Sequence, residues 1–198
     1  QGQTRIDLLK DNVNLFKSII PEIIKYAPNA ILLIASNPVD ILTYAAYKIS
    51  GKPADKVIGS GTLLDSARFR YEIAKHCNID ARSVHAYILG EHGDTEFPVW
   101  SKATVGGVNI ENHSMLCNNK KDCNHTEKLT SIFNNVKNSA YKIIIEKKGE
   151  TSYGIGLALT RITESILLNE NSVLPVSVLI KDFYGVNDVY LSLPSVIN

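Results

Sequence analysis

The stretch Ala30-Ile-Leu-Leu-Ile-Ala35 is apolar without any polar alternation, and Ser36-Asn37-Pro38-Val39-Asp40 follows it directly. A short run of this kind suits a strand buried on both faces, as in parallel sheets covered by helices. A buried helical segment is the other reading that such a run allows. Asn37 has the chemistry of a helix N-cap and Pro38 suits a first helical position. The helix that follows should run to about Ser50, with Gly51 as its stop signal. Upstream, Leu8, Leu9, Leu15, Phe16, Ile19, Ile20, Ile23 and Ile24 recur at helical spacing. Pro21 should kink that helix and Pro28 should end it. Val57-Ile58 reads as a second short buried strand, and Leu63 to Lys75 as a third helix.

The order helix, strand, helix, strand, helix is that of a doubly wound α/β sheet. The character changes after Asn78. Val84–Leu89 and Thr104–Ile110 read as strands, Glu127–Lys147 as a helix closed by Gly149, and Ser152–Leu168 as another helix. Ser172–Ile180 and Asp188–Leu193 read as strands joined by a hairpin connection, Lys181–Asn187. The expected fold class is therefore α/β. The second part of a doubly wound, Rossmann-type parallel sheet (residues 1–60) is followed by an α+β domain (residues 61–198).

The totals exclude several classes. With 198 residues, 44% hydrophobic and 21% charged, the chain has the balance of an ordinary globular protein able to bury a core without staples. A formal net charge of +1 provides no field to steer it toward nucleic acid or an anionic membrane. The pair Lys120-Lys121 reads as a solvated loop. No run approaches the roughly 18 apolar residues of a membrane-spanning helix. Three cysteines, Cys77, Cys117 and Cys123, are an odd number for a disulfide framework and point to a reducing, cytoplasmic setting. The chain opens Gln1-Gly2-Gln3-Thr4-Arg5, with Met115 its single methionine, so a start further upstream is expected. Gly59-Ser60-Gly61 and Gly154-Ile155-Gly156 each begin a Gly-x-Gly-x-x-Gly fingerprint. Leu64 and Leu159 stand where the third glycine belongs, so neither is a pyrophosphate cradle.

Four segments carry chemistry. In Leu64-Asp65-Ser66-Ala67-Arg68-Phe69-Arg70, Asp65 and Arg68 share a helix face; alone, such a pair is a local ion pair. Gly90-Glu91-His92-Gly93-Asp94-Thr95 places a histidine between two glycines after an apolar strand; alone, it is a turn. Ser36-Asn37-Pro38-Val39-Asp40 lies where a strand ends, the place where open α/β sheets bind ligands; alone, it is a cap. Thr4-Arg5 lies in an opening loop and, alone, is a solvated terminus.

Together and in this order the segments closely resemble the L-lactate and malate dehydrogenases, over essentially the whole chain. The resemblance implies NAD as cofactor, a small 2-keto or 2-hydroxy acid as substrate and a homotetramer, with residues 1–60 as the last part of the cofactor domain and 61–198 as the substrate domain. It also implies that part of the chain is missing at each end. His92 matches the family's proton donor and acceptor, and imidazole chemistry near neutral pH suits that task. Asp65 matches its orienting carboxylate, and Arg68 the clamp on the substrate carboxylate, which a planar fork holds bidentately. Arg5 matches the mobile-loop arginine that polarises the keto oxygen. Asn37 matches an amide touching substrate and cofactor, Thr151 a threonine lining the substrate pocket, and Ile155 a residue packed on the nicotinamide. Ser18, Ala35, Ser36 and Ser60 match further cofactor contacts.

Within the family, Gly-Glu-His-Gly-Asp-Thr-Glu, with Glu91 and Glu96, is the lactate-type form. The position that best separates lactate from malate enzymes is expected in the loop upstream of Gln1, and Gln1 is not that position. Arg70 and His85 match the pair that binds fructose 1,6-bisphosphate between subunits of allosteric bacterial members; plain surface charge is the alternative. His113, Cys117, Cys123 and His125 lack zinc-site spacing, so no metal is expected. The rivals are a malate or other 2-hydroxy-acid dehydrogenase of the same family and an inert fragment that retains only an assembly domain. A Ser-His-Asp hydrolase fails for want of a G-x-S-x-G elbow.

Overall fold

A computed structural model describes residues 5–110, 125–147 and 152–198. The chain forms two compact units: Gln1–Gly61 together with Arg161–Asn198, and Thr62–Thr160. Among the described residues no helix is long and apolar enough to cross a membrane.

In the first unit, helix α1 spans Arg5–Tyr26 and continues through Pro21. Strand β1 (Leu32–Ile34) realises the apolar run and pairs in parallel with β2 (Val57–Gly59), Leu32 opposite Val57. Between them lies α2 (Val39–Ser50), closed by Gly51 in the left-handed conformation with its N–H on the Tyr47 carbonyl. The expected cap moves by one residue. Pro38, after a cis Asn37–Pro38 bond, occupies the cap position, and no side chain caps the helix. Proline has no side-chain acceptor, so the cap position offers the first-turn N–H groups no side-chain hydrogen bond.

The sheet is mixed rather than parallel. Its order is β1-β2-β8-β9, where β8 is Ser172–Ile180 and β9 is Val189–Ile197. β8 meets β2 antiparallel at Gly59 opposite Ser177 and pairs antiparallel with β9 along its whole length. A connection as short as 181–188 can join only antiparallel neighbours, since a parallel pair needs a crossover of a dozen residues or more. Residues 161–198 thus belong to the same compact unit as the first 61. β9 also runs past Leu193 through Pro194, which an edge strand tolerates because no inner ladder needs its missing N–H.

The pair Gly59 and Gly61 has a packing cause. A Cβ on Gly59 would lie 2.5 Å from Thr43 Oγ1, and one on Gly61 2.6 Å from the Ser177 nitrogen. Buried Ser177 donates to buried Asp40 at 2.5 Å, and Tyr190 donates to the Val57 carbonyl at 3.1 Å. Ile20, Leu32, Ala46 and Val57 form the centre of this unit's core.

The second unit is organised by α3 (Leu63–Cys77), which ends at Asn78 in the left-handed conformation. Phe69, Ile73 and Cys77 of α3 pack with Val84, Ala86 and Ile88, and with Ile132 and Val136 of α4 (His125–Lys137). The strand expected over 84–89 divides into β3 (Val84–His85) and β4 (Ile88–Leu89), which pair with different partners. β4 pairs with β5 (Phe97–Pro98); β3 pairs with β6 (Thr104–Val105), itself joined to β7 (Val108–Asn109). The strand expected over 104–110 is therefore a hairpin. Gly106 and Gly107 both have positive φ, 55° and 84°, as a tight two-residue turn requires. The helix expected over 127–147 breaks at Asn138 into α4 and α5 (Ser139–Lys147); α6 spans Ser152–Leu167. Gly149, His113, Cys117 and Cys123 lie outside the described residues, as does the side chain of His125.

Candidate active site

Two buried hydroxyls lock the first turn of α3 to β4. Ser66 Oγ accepts from the Ile88 N–H at 2.9 Å and donates to the Ile88 carbonyl at 3.2 Å, where Thr62 Oγ1 also donates at 2.5 Å. This clasp holds Asp65, next to Ser66, in fixed register with the loop that follows β4. Gly90 opens that loop at φ 93°, a conformation that side chains with a Cβ rarely adopt. The loop then turns His92 back toward α3.

His92 Nδ1 lies 2.6 Å from Asp65 Oδ2. An ionised carboxylate only accepts, so Nδ1–H donates and Nε2 is the atom left for proton exchange. The Asp65 side chain is 6% exposed and that of His92 27%. Arg68 Nη1 sits 3.5 Å from the other Asp65 oxygen, with its side chain 18% exposed. Asp65 thus has a cationic or hydrogen-bonding partner at each oxygen, and the rest of the Arg68 fork remains available to an anion. The fold thus brings residues 65, 68 and 92 together.

Two neighbours have no role in the sequence reading. Glu96 is 7% exposed, and its carboxylate belongs to a set with Asp65 and His92 whose ligand atoms lie within 4.8 Å of one another. Burial, reinforced by the charge of Asp65, pushes its carboxyl up to about 7; His92, Lys137 and Arg68 oppose that rise. Lys137 of α4 donates to the Asp94 carbonyl at 2.6 Å and so anchors the histidine loop. Glu96 was quoted only as a marker of the lactate-type motif; a carboxylate four residues beyond a glycine-flanked histidine was the signal available. Nothing local to Lys137 points to the loop.

Asp65, His92 and Glu96 are the one set of three potential metal ligands found among the described residues. The short Asp65–His92 hydrogen bond and the Arg68 guanidinium beside it suit a site that stores a proton better than one that holds a second cation.

The raised Glu96 carboxyl has a consequence for stability. Its folded pKa, about 7, lies above the ordinary 4.5, so the stability it confers is complete below about pH 4.5 and is lost as pH rises through 7. Glu96→Gln removes that loss. In urea titrations the variant should gain on the wild type between pH 4 and pH 8, by up to roughly 3 kcal/mol at about 1.4 kcal/mol per pH unit.

The other expected site residues divide by location. Ser36 and Asn37 are exposed just beyond β1, Ala35 is half-buried, and Ser60 is buried with its N–H on the Ile34 carbonyl at 2.8 Å. Ser18 is exposed on α1, its hydroxyl donating to the Leu15 carbonyl at 2.7 Å. Arg5 begins α1, and its side chain lies outside the described set. Ile155 is half-buried on α6. Thr151 lies outside the described residues. Arg70 is half-buried on α3, where burial lowers its guanidinium, and His85 is exposed on β3. No hydrogen bond joins these two among the described residues.

Residues 1–59 match the model of the lactate/malate dehydrogenase NAD binding domain. Residues 62–198 match that of the lactate/malate dehydrogenase alpha/beta C-terminal domain. L-lactate dehydrogenase 1 of Clostridium acetobutylicum is 51% identical over 197 residues, covering 99% of this chain and 61% of that protein. L-lactate dehydrogenase of Latilactobacillus sakei is 54% identical over 197 residues, covering all of this chain and 59% of that protein. Among solved structures, a lactate dehydrogenase from a Medee basin deep-sea metagenome library superposes with TM-score 0.91 at 50% identity, over 100% of this chain and 62% of that one. The minor L-lactate dehydrogenase of Enterococcus mundtii, in a ligands-bound form, also gives TM-score 0.91, at 46% identity over 99% of this chain and 61% of that one. The chain spans about three fifths of the length of the curated relatives it matches. Two family models that account for nearly every residue, together with relatives half identical along its whole length, make this chain a member of the lactate/malate dehydrogenase family.

Proposed function

We propose that the protein containing this chain catalyses reversible hydride transfer between NADH and pyruvate, giving L-lactate. The observation that carries the reading is the 2.6 Å hydrogen bond between His92 and Asp65, with Arg68 on the other carboxylate oxygen. Nδ1–H is committed to Asp65, so Nε2 gives its proton to the alkoxide that forms at the keto carbon and recovers it in reverse. Asp65 holds the ring in that tautomer and offsets the imidazolium charge. Arg68 takes the substrate carboxylate bidentately and sets the distance from keto carbon to imidazole. Arg5 stabilises charge on the keto oxygen, and Asn37 and Thr151 complete the substrate contacts. These three roles rest on the family motif.

NAD is the proposed cofactor. Exposed Ser36 and Asn37 at the carboxyl end of a parallel strand offer hydroxyl and amide groups where open α/β sheets take nucleotides, a fit to ribose and carboxamide. When bound, the nicotinamide supplies or accepts the hydride. Ser18, Ala35, Ser60 and Ile155 are its further proposed contacts, with residues 1–60 serving the cofactor and 61–198 the substrate. Lactate is preferred to malate on Glu91 and Glu96 of the histidine loop, and on relatives named L-lactate dehydrogenase.

A cytoplasmic homotetramer regulated by fructose 1,6-bisphosphate at Arg70 and His85 extends the proposal. The support is chemical: a half-buried guanidinium whose burial disfavours its charge gains from a phosphate partner. The test is NADH oxidation by the full-length protein, followed at 340 nm with pyruvate and with oxaloacetate, each with and without the bisphosphate. Preference for pyruvate, abolished by His92→Gln, supports the assignment; preference for oxaloacetate replaces it with malate chemistry. A pyruvate affinity unchanged by the bisphosphate removes the regulatory claim alone.

A further inference from the structure

We propose that Glu96 is a positioning residue that sets the charge of the His92 imidazole across the buried cluster that both side chains form with Asp65. The geometry is the ground for this. The carboxylates of Asp65 and Glu96 and a ring nitrogen of His92 all lie within 4.8 Å of one another, and both acidic residues are buried. Glu96 reaches this position because its N–H returns to the Gly93 carbonyl at 3.3 Å, folding the histidine loop over on itself just before β5.

The charged groups that bear on Glu96 are Asp65 and Arg68 from α3, His92 from its own loop, and Lys137 from α4. Two buried carboxylates this close repel unless a cation stands between them. With His92 protonated, both can be ionised. With His92 neutral, Asp65 keeps its hydrogen bond from Nδ1, and Glu96 is the member that relieves the repulsion by binding a proton. The balance is simple: when the pair holds one proton, it resides either on the imidazole, with Glu96 ionised, or on Glu96, with the imidazole neutral, and the pair gains or loses protons to water in two coupled steps. The rise of the Glu96 carboxyl to about 7 places this exchange in the range where imidazole titrates.

The inference rests on the proposed role of His92 in catalysis, but its test needs no turnover. Histidine ring signals of the folded protein are followed by NMR from pH 4 to 10, in wild type, Glu96→Gln and Glu96→Asp. The expected result is a His92 titration in the wild type that departs from a single-site curve. In Glu96→Gln it should become a single step and move to lower pH, with about tenfold less imidazolium at a given pH. Glu96→Asp should restore part of the shift. His85, on β3 and outside the cluster, serves as the control and should not move.

An unchanged His92 curve in folded Glu96→Gln overturns the proposal, and so does an equal shift of His85, which marks a general charge effect. Should Glu96→Gln fail to fold, the wild-type curve decides: a two-step His92 titration supports coupling and a single step refutes it. Coupling found in a full-length protein that does not reduce pyruvate would sink the proposed function and leave this inference standing.

Discussion

Replacing Asp65 by Asn in the full-length protein should lower pyruvate turnover by about a thousandfold or more, with a smaller effect on cofactor binding. Asp65 is buried and fixed by the hydroxyl clasp beside it, so the substitution leaves the backbone in place and removes one charge. That charge does two things. It accepts Nδ1–H and so keeps the proton to be transferred on Nε2, and it stabilises the imidazolium. A neutral amide accepts more weakly and can instead present its NH₂ to Nδ1, which selects the wrong tautomer. The pH profile gives the sign: a cation that loses its carboxylate partner loses its proton more readily, so pyruvate reduction should fail at lower pH than in the wild type. Steady-state rates from pH 5 to 9 test both points, and an unchanged profile would remove Asp65 from its role.

The second large effect is expected at Arg68. Arg68→Lys keeps the charge and loses the fork, so one of two charge-assisted hydrogen bonds to the substrate carboxylate goes, at about 1.5–3 kcal/mol. The Michaelis constant for pyruvate should rise by roughly tenfold to a hundredfold. Turnover at saturation should fall less. Arg68 also flanks Asp65 at 3.5 Å, so a shift of the pH profile smaller than that of Asp65→Asn should accompany the change. A near-normal Michaelis constant would take Arg68 out of the clamp.

The sequence made the chemistry more legible than the architecture. Asp65 and Arg68 are three apart on one helix, a relation that spacing alone fixes. Asp65 and His92 are 27 residues apart, and only family resemblance joined them before the structure did. The apolar run at 30–35 was read as a strand because it is short and unalternating, and β1 occupies its centre. Hairpins were lost where two strands meet in a glycine pair, as at Gly106-Gly107, because an apolar pattern across a tight turn looks continuous. The antiparallel addition of β8 to β2 was illegible for another reason: the pairing of residues 59 and 177 depends on tertiary packing, and no local signal carries it. Glu96 was legible only as a motif marker, because nothing local shows that a carboxylate in this loop is buried beside Asp65 and His92.

The clasp that Thr62 and Ser66 make on Ile88 bears on how such sites can be rebuilt. Donor and orienting group come from segments distant in sequence, and their spacing is set by two small, fully buried alcohols. A loop swap that carries residues 90–96 into another scaffold imports the imidazole without its ruler. The transplantable cassette therefore begins at Thr62 and extends through the loop.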